Sequence, residues 1–187
     1  QLNIRTTRSG FGIYDENIKA IQLWLTALSG QSAEIDVLGS IPFQAHYAIR
    51  DNYTAWKENK SFKVHTFSGK EVKEYYQKIG KYLSIDPQVK YPEKLVFSVF
   101  FFSEGSLNVM TDESLTEDEI KIMLRFANVF GLTYRRFLDL QKAEAQAREA
   151  QIETALEKVR SSSLAMQTSA ELGKVVTVLL KNLHDLG

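Results

Sequence analysis

The stretch that decides the fold is LVFSVFFF at residues 95–102. Apart from Ser98 it is apolar throughout, so a strand built from it is apolar on both faces, as is typical of a strand inside a covered sheet. Glu104 and Gly105 follow as a turn, and residues 107–109 alternate apolar with polar. These features predict a central strand and the returning strand of a hairpin.

The sequence before this hairpin predicts a mixture of helix and strand. Residues 15–29 carry apolar side chains at spacings of three and four, which predicts a first helix ending at Gly30. Residues 43–50 and 62–67 alternate apolar with polar side chains, which predicts two half-buried strands. A shorter strand is predicted around residues 35–37. Together these elements indicate an α+β fold.

Three segments match a capping box, in which a hydroxyl and a carboxylate satisfy the free N–H groups of a helix start. They are SGKE at 68–71, TEDE at 116–119 and TSAE at 168–171. The first predicts an amphipathic helix, and the last predicts one further amphipathic helix near the end of the chain. The helix after residue 116 meets no proline and no strong break before the serines at 161–163, which predicts one long helix.

The distal half of this long helix has the composition of a coiled coil. Residues 140–160 are rich in Ala, Glu, Gln, Lys and Arg, all good helix formers. Apolar positions recur every seven residues, which predicts a seam for a parallel homodimer. The predicted dimer positions are Leu138, Ala145, Ile152, Leu156 and Val159. A competing register runs through Leu140, Ala143, Ala147 and Ala150, so the coiled coil is expected to be weak and able to shift.

Composition excludes several classes of protein. The 187 residues hold 23 Lys and Arg against 23 Asp and Glu, and this zero net charge argues against nucleic acid as a partner. The chain has no cysteine, which removes disulfides, thiolate metal sites and a Cys nucleophile. No apolar run is long enough for a membrane span, and no signal peptide opens the sequence, so we expect no membrane insertion and a cytoplasmic location. Because the chain begins at Gln1, we interpret it as a piece of a longer protein.

The specific family signal lies in RFANVF at residues 125–130 and TYRRFLDLQKAEAQAREAQIE at residues 133–153. This stretch resembles the signalling-helix connector of bacterial multidomain sensor proteins, and the order of elements before it resembles a GAF-like sensor domain. The resemblance implies a GAF-like antiparallel sheet with flanking helices at residues 11–137, a coiled-coil signalling helix at 138–163, and the first helix of a truncated second domain at 164–187. In such proteins a histidine kinase or cyclase output domain commonly follows.

The ligands known for that family lose support here. The Asn-Lys-x-Phe-Asp-Glu motif of cyclic-nucleotide-binding GAF domains is absent, because Asn59-Lys60-Ser61-Phe62 continues with Lys63. The cysteine that holds a bilin in phytochrome-like GAF domains is also absent. No cofactor is therefore assigned.

Neither a catalytic nor a metal site is indicated. The sequence lacks a phosphate-binding loop, a Gly-x-Gly-x-x-Gly fingerprint and a Gly-x-Ser-x-Gly nucleophile motif. Its three histidines have no accompanying ligand spacing. We therefore expect a non-catalytic chain without a bound metal.

The candidate ligand-pocket residues are His46, Arg50, Tyr53, Trp56 and His65. The aromatic side chains suit a planar ligand, and Arg50 suits an anionic group. Core packing of the aromatic residues and a structural, hydrogen-bonded role for the histidines are the competing interpretations.

These features predict a sensory module of a bacterial two-component or related signalling system, which forms a homodimer and relays a signal along its helix. A small-molecule ligand in the sensor part is the expected input. The alternative is a structural dimerisation module without a ligand. A small enzyme on an α+β scaffold is a third hypothesis, against which the missing motifs argue.

Overall fold

A computed structural model describes residues 6–26, 35–83 and 91–185. Its strands are β1 (Arg8–Asp15), β2 (Ala20–Thr26), β3 (Ile35–Pro42), β4 (Phe62–Ser68), β5 (Lys94–Phe102) and β6 (Gly105–Thr111). Its helices are α1 (Tyr47–Lys57), α2 (Lys70–Ile79), α3 (Glu117–Leu164) and α4 (Leu172–Asp185), with a 3₁₀ turn at Ser169–Glu171 before α4. The predicted α+β class is confirmed.

The described strands form one antiparallel sheet in the order β3-β2-β1-β6-β5-β4. The strand predicted to be central is an interior strand one place from the edge: β5 lies between β6 and β4, and every side chain from Leu95 to Phe102 is buried. The predicted hairpin is confirmed as well, with Phe100 opposite Leu107 in the β5–β6 ladder.

Helices cover both faces of the sheet. We call the face beneath α1 and α2 the inner face; Leu95, Phe97, Val99 and Phe101 of β5 point into the core there. The opposite, outer face carries the first turns of α3, whose Ala127 is fully buried against Phe100 and Val109. This alternation follows from the period of two along a strand, and it explains why β5 must be apolar at both sets of positions.

The helix predicted at residues 15–29 is wrong. This segment forms β1, a turn and β2, with Ile21, Leu23 and Leu25 buried at alternate positions. The turn forms because Asp15 Oδ1 accepts hydrogen bonds from the backbone N–H of Asn17 (2.9 Å) and Ile18 (3.4 Å). Residues 27–30, including the predicted helix end at Gly30, lie outside the described residues.

The strand predicted at residues 43–50 is also wrong. The short strand predicted near residues 35–37, before this segment, is confirmed as part of β3. From residue 47 the chain forms α1, which buries Ala48, Ile49, Asn52 and Ala55. These buried positions are spaced as on one face of a helix. The alternation of apolar and polar residues from Phe43 to Ile49 therefore does not reflect a strand.

The predicted capping boxes form to different degrees. At the start of α3, the N–H of Thr116 donates to Glu119 Oε2 (2.8 Å) and the N–H of Glu119 donates to Thr116 Oγ1 (3.3 Å). At α2 the capping residue is Gly69, and only the bond from Ser68 N–H to Glu71 Oε2 is present (3.2 Å). At Thr168 the side chain makes no capping hydrogen bond, and a 3₁₀ turn precedes α4.

The chain divides into two compact units, residues 1–133 and 134–187, so α3 supplies its first turns to one and its remainder to the other. The sequence predicts boundaries elsewhere, between residues 137 and 138 and between residues 163 and 164. None of the helices within residues 6–26, 35–83 and 91–185 combines the length and apolar composition that a membrane-spanning helix needs.

Candidate functional site

His46 is a helix cap. Its Nδ1 accepts a hydrogen bond from the backbone N–H of Ala48 (3.2 Å), which satisfies one free donor at the start of α1. The imidazole is buried, with its ring edge against Tyr75 at 5.2 Å and near Phe67 at 5.8 Å. Burial lowers the pKa of His46, so the ring is neutral as a cap must be in order to accept.

His65 is the second buried histidine. Its Nε2 lies 2.8 Å from Oδ1 of Asn52, which α1 carries to the inner face. Burial lowers the pKa of His65 to about 4, with Lys63 adding to the effect. The neutral ring therefore holds its proton on Nε2 and donates it to the amide oxygen of Asn52. Both histidines fit the structural interpretation, since each already has a partner within the chain.

Tyr53 and Trp56 lie at the far end of α1, in an aromatic cluster with Tyr14 and Phe43. The ring of Tyr53 stacks on Phe43 at 4.0 Å, and the ring of Trp56 stacks on Tyr14 at 4.8 Å. Trp56 Nε1 donates to the carbonyl of Phe102 at 3.1 Å. This cluster joins α1 to the β5–β6 turn.

Glu16 accepts hydrogen bonds from two side chains of α1. The Tyr53 hydroxyl donates to Glu16 Oε1 at 2.7 Å, and Lys57 Nζ donates to the same oxygen at 2.8 Å. These hydrogen bonds, that of Lys57 first, hold the pKa of Glu16 below its usual value. Of the five predicted pocket residues, His46 and His65 both lie beside Phe67, with ring centroids 5.8 and 6.2 Å from it, whereas Tyr53 and Trp56 share a different cluster and Arg50 is exposed on α1.

A groove of about 530 Å³ opens where α1 ends beside β5. Trp56 is the one predicted pocket residue that lines it, together with Lys57, Lys60, Ser61 and Asn128. Its walls combine two lysines, which suit an anion, with apolar side chains such as Phe101, Phe102 and Leu124. Lys57, however, is already paired with Glu16.

A polar patch interrupts the apolar core on the inner face. Strand β6 places Ser106 opposite Gly12 and Asn108 opposite Gly10, and both polar side chains are essentially fully buried. Ser106 Oγ donates to Asn108 Oδ1 at 3.2 Å. Among the described residues, Asn108 Nδ2 has no hydrogen-bond partner.

An unsatisfied amide donor in an apolar core costs about 1–3 kcal/mol, so an acceptor oxygen brought by a small molecule or by water would bind favourably at Asn108. The Tyr14 hydroxyl lies beside Ser106; burial raises the pKa of Tyr14, and the Ser106 hydroxyl partly offsets that effect. Because Asn108 Nδ2 is buried without a partner among the described residues, this patch of Tyr14, Ser106 and Asn108 is a candidate site for a small molecule or a water. Sequence reasoning missed it, although polar residues at alternate positions of an otherwise apolar strand were the available signal.

The second unit is a helical hairpin. Ala155 of α3 is 8% exposed, and Ile152, Val159 and Ser162 on the same side are half-buried. One groove of this unit is lined by Thr154 and Asn182, and a second one by Ser162, Val175 and Val178. Helix α4 therefore packs antiparallel on the distal part of α3.

The predicted dimer positions divide into two groups in this unit. Ile152 and Val159 lie on the side of α3 that α4 covers, whereas Leu138 (37% exposed), Ala145 and Leu156 (51% exposed) face solvent. Helix α4 presents a further apolar stripe to solvent. Its members are Leu172, Val176, Leu179 and Leu183, each 40–56% exposed.

The described residues contain no group of three or more His, Cys, Asp or Glu side chains arranged to hold a metal ion. Comparison of the chain with family models, with curated proteins and with solved structures gives no match. The candidate sites therefore stand on their geometry alone.

Proposed function

We propose that this chain is a non-catalytic regulatory module of a bacterial signalling protein, as the GAF-like resemblance implies. In this proposal a small polar ligand binds at the patch of Tyr14, Ser106 and Asn108. Two copies associate through α3, and a change in the first unit alters the pairing of that helix. The proposal places a downstream output domain, of kinase or cyclase type, after the helix.

The observation that carries the proposal is the continuity of α3 with the sheet core. Ala127 is fully buried on the outer face, and a Cβ atom added to Gly131 would lie 2.8 Å from Cβ of Phe102. Phe102 is the last residue of β5, so α3 rests directly on this interior strand. Since packed elements respond to strain by shifting as units, a change in the sheet would displace α3.

Cysteine cross-linking tests the dimer, because the chain has no cysteine of its own. Under oxidation at tens of micromolar, Ala145→Cys is expected to form an inter-chain disulfide rapidly, since a parallel seam brings the two copies of that position together. Gln146→Cys, one residue off the seam, is the matched control and is expected to react slowly. Equal rates at the two positions would contradict a parallel dimer through this seam.

The proposed relay, in which a change in the sheet alters the pairing of α3, is tested in protein that carries Ala145→Cys. Gly131→Ala places a methyl group against Phe102, and we expect it to change the cross-linking rate at least threefold. Leu132→Ala, at a 68% exposed position one residue along the helix, is the control and should leave the rate unchanged. If Ala145→Cys cross-links at the same rate with and without Gly131→Ala, the dimer stands and the proposed relay from the sheet to the helix is contradicted.

A ligand-free structural dimerisation module is the second candidate. It is favoured by the engagement of His46, Tyr53, Trp56 and His65 with groups of the chain itself. Native mass spectrometry of the purified chain separates the two functions. A small molecule that remains bound to the wild type and is lost from Asn108→Leu supports sensing, whereas bare protein in both cases favours the structural role.

A further inference from the structure

The distal half of the predicted dimer seam is covered by the chain itself. Four seam positions recur at intervals of seven: Leu138, Ala145, Ile152 and Val159. Ile152 and Val159 flank the buried Ala155 on the side of α3 that carries α4. Leu138 and Ala145 lie on the part of α3 that α4 does not reach, and both are exposed.

We infer that α4 is an intramolecular cover which competes with a second copy of α3 for the distal seam. Ile152 and Val159 cannot pack against both helices at once, so the hairpin and the full coiled coil exclude each other. The inference rests on the proposed dimerisation through α3, and it names the element that regulates this dimerisation.

The number of heptads decides how strong this regulation is. With α4 in place, a partner helix meets two of these four positions, Leu138 and Ala145, besides the exposed Leu156. With α4 displaced, it meets four positions spanning residues 138–159. Coiled coils generally need three to four heptads of sustained apolar seam, so the covered state supports only weak pairing.

The hairpin contact is thin enough to open. None of the described side chains of α4 is fully buried, and its contact face includes the polar Asn182 beside Val175 and Val178. Asn182 Nδ2 donates back to the carbonyl of Val178 within α4 at 2.8 Å. A helix of 14 residues is marginal on its own, so α4 depends on this contact and is released when the contact weakens.

Inter-chain disulfide formation in the full chain tests the cover. We compare Ile152→Cys, beneath α4, with Ala145→Cys, outside it. In otherwise wild-type protein, Ile152→Cys is expected to cross-link at least tenfold more slowly than Ala145→Cys. Adding Val175→Asp and Val178→Asp, which place charges on the covered face of α4, should raise the Ile152→Cys rate at least tenfold. If these charges unfold α4, the seam is uncovered all the same.

Leu179→Asp and Leu183→Asp form the matched control, with the same two charges on the open face of α4. They should leave both rates unchanged. If Ile152→Cys reacts as fast as Ala145→Cys and does not respond to Val175→Asp and Val178→Asp, the cover is refuted and the dimer stands. If neither position cross-links in any background, the proposed dimer fails together with the cover. Loss of association in the Leu179→Asp, Leu183→Asp variant would place the interface on the open face of α4 and overturn the inference.

Discussion

Buried polar side chains give the first unit its residue-scale chemistry. Asn52 and His65 share a hydrogen bond between α1 and β4, and Ser106 bonds to Asn108 along β6. Inside a low-dielectric core such bonds hold their partners in one geometry, because a broken bond leaves a polar group unsatisfied. The His65 pair therefore fixes α1 on the sheet, whereas the Nδ2 group of Asn108 has no hydrogen-bond partner among the described residues.

His65 predicts a loss of stability in mild acid. Its pKa is about 4 in the folded chain and 6.5 in an unperturbed imidazole, so between these values the unfolded chain binds more protons than the folded one. The free energy of unfolding should then fall as the pH drops from 7 to 4, by at most about 3 kcal/mol from this group. Urea unfolding at a series of pH values measures the slope.

His65→Gln supplies the comparison for this pH series, since a glutamine side chain retains an N–H group for Asn52 and does not titrate. The slope between pH 4 and 6.5 should flatten in that variant. A residual slope is expected from His46, whose pKa is also lowered by burial. An unchanged slope in His65→Gln would contradict the assignment to His65.

Gly131 predicts a tight limit on side-chain size where α3 meets the sheet. Valine at this position would press its side chain into Phe102, since even a Cβ atom lies 2.8 Å from Cβ of Phe102. Overpacking of this kind costs about 1–3 kcal/mol, which exceeds the helix propensity gained by removing glycine. Chemical denaturation should show Gly131→Val less stable than wild type. Leu132→Val is the exposed control, and equal stability of the two variants would contradict the tight contact.

At the scale of elements, the start of α3 depends on its capping box. Thr116 Oγ1 accepts from the N–H of Glu119, and Glu119 Oε2 accepts from the N–H of Thr116. Thr116→Ala removes one of these bonds and should lower the free energy of unfolding by about 1 kcal/mol. Thr133→Ala is the matched control, because Thr133 Oγ1 bonds only to the Val129 carbonyl within the helix. A larger loss in the control would show that the cap contributes little.

At the scale of the whole molecule, the two units should separate folding from association. A chain that ends at Asp139 keeps the sheet, α1, α2 and the first turns of α3, so its near-ultraviolet circular dichroism should match the same signals of the full chain. It loses every seam position beyond Leu138, and sedimentation velocity should show it monomeric at concentrations where the full chain associates. A truncated chain that still dimerises would move the interface into the first unit.

Elements whose sequence pattern favours a single structure were predictable, whereas segments whose pattern suits both helix and strand were not. Residues 95–102 are apolar on both faces, which suits an interior strand, and α3 starts at a matched capping box with no proline after it. In residues 15–29 the apolar positions suit a helix and a strand equally. The Asx turn at Asp15 and the ladders to β1 and β3 on either side select the strand, which leaves Ile18 55% exposed. The decisive contacts there come from residues distant in the chain.

The candidate sites divide in the same way. The sequence identified aromatic and imidazole side chains of suitable chemistry, but residue type does not reveal that His46 caps a helix or that Tyr53 bonds to Glu16. Ser106 and Asn108 are buried next to each other because the sheet places β6 between β1 and β5, which residue type does not reveal.

By itself the sequence determined the α+β class, the interior hairpin, the long helix and the apolar stripes of α3 and α4, since each depends on periodicity within one segment. Tertiary structure alone decided what covers the distal stripe of α3. An apolar stripe can pack against any complementary surface, and the surface nearest along the chain is reached at the lowest entropic cost of loop closure. For the distal part of α3 that surface is α4, which is joined to it by residues 165–171.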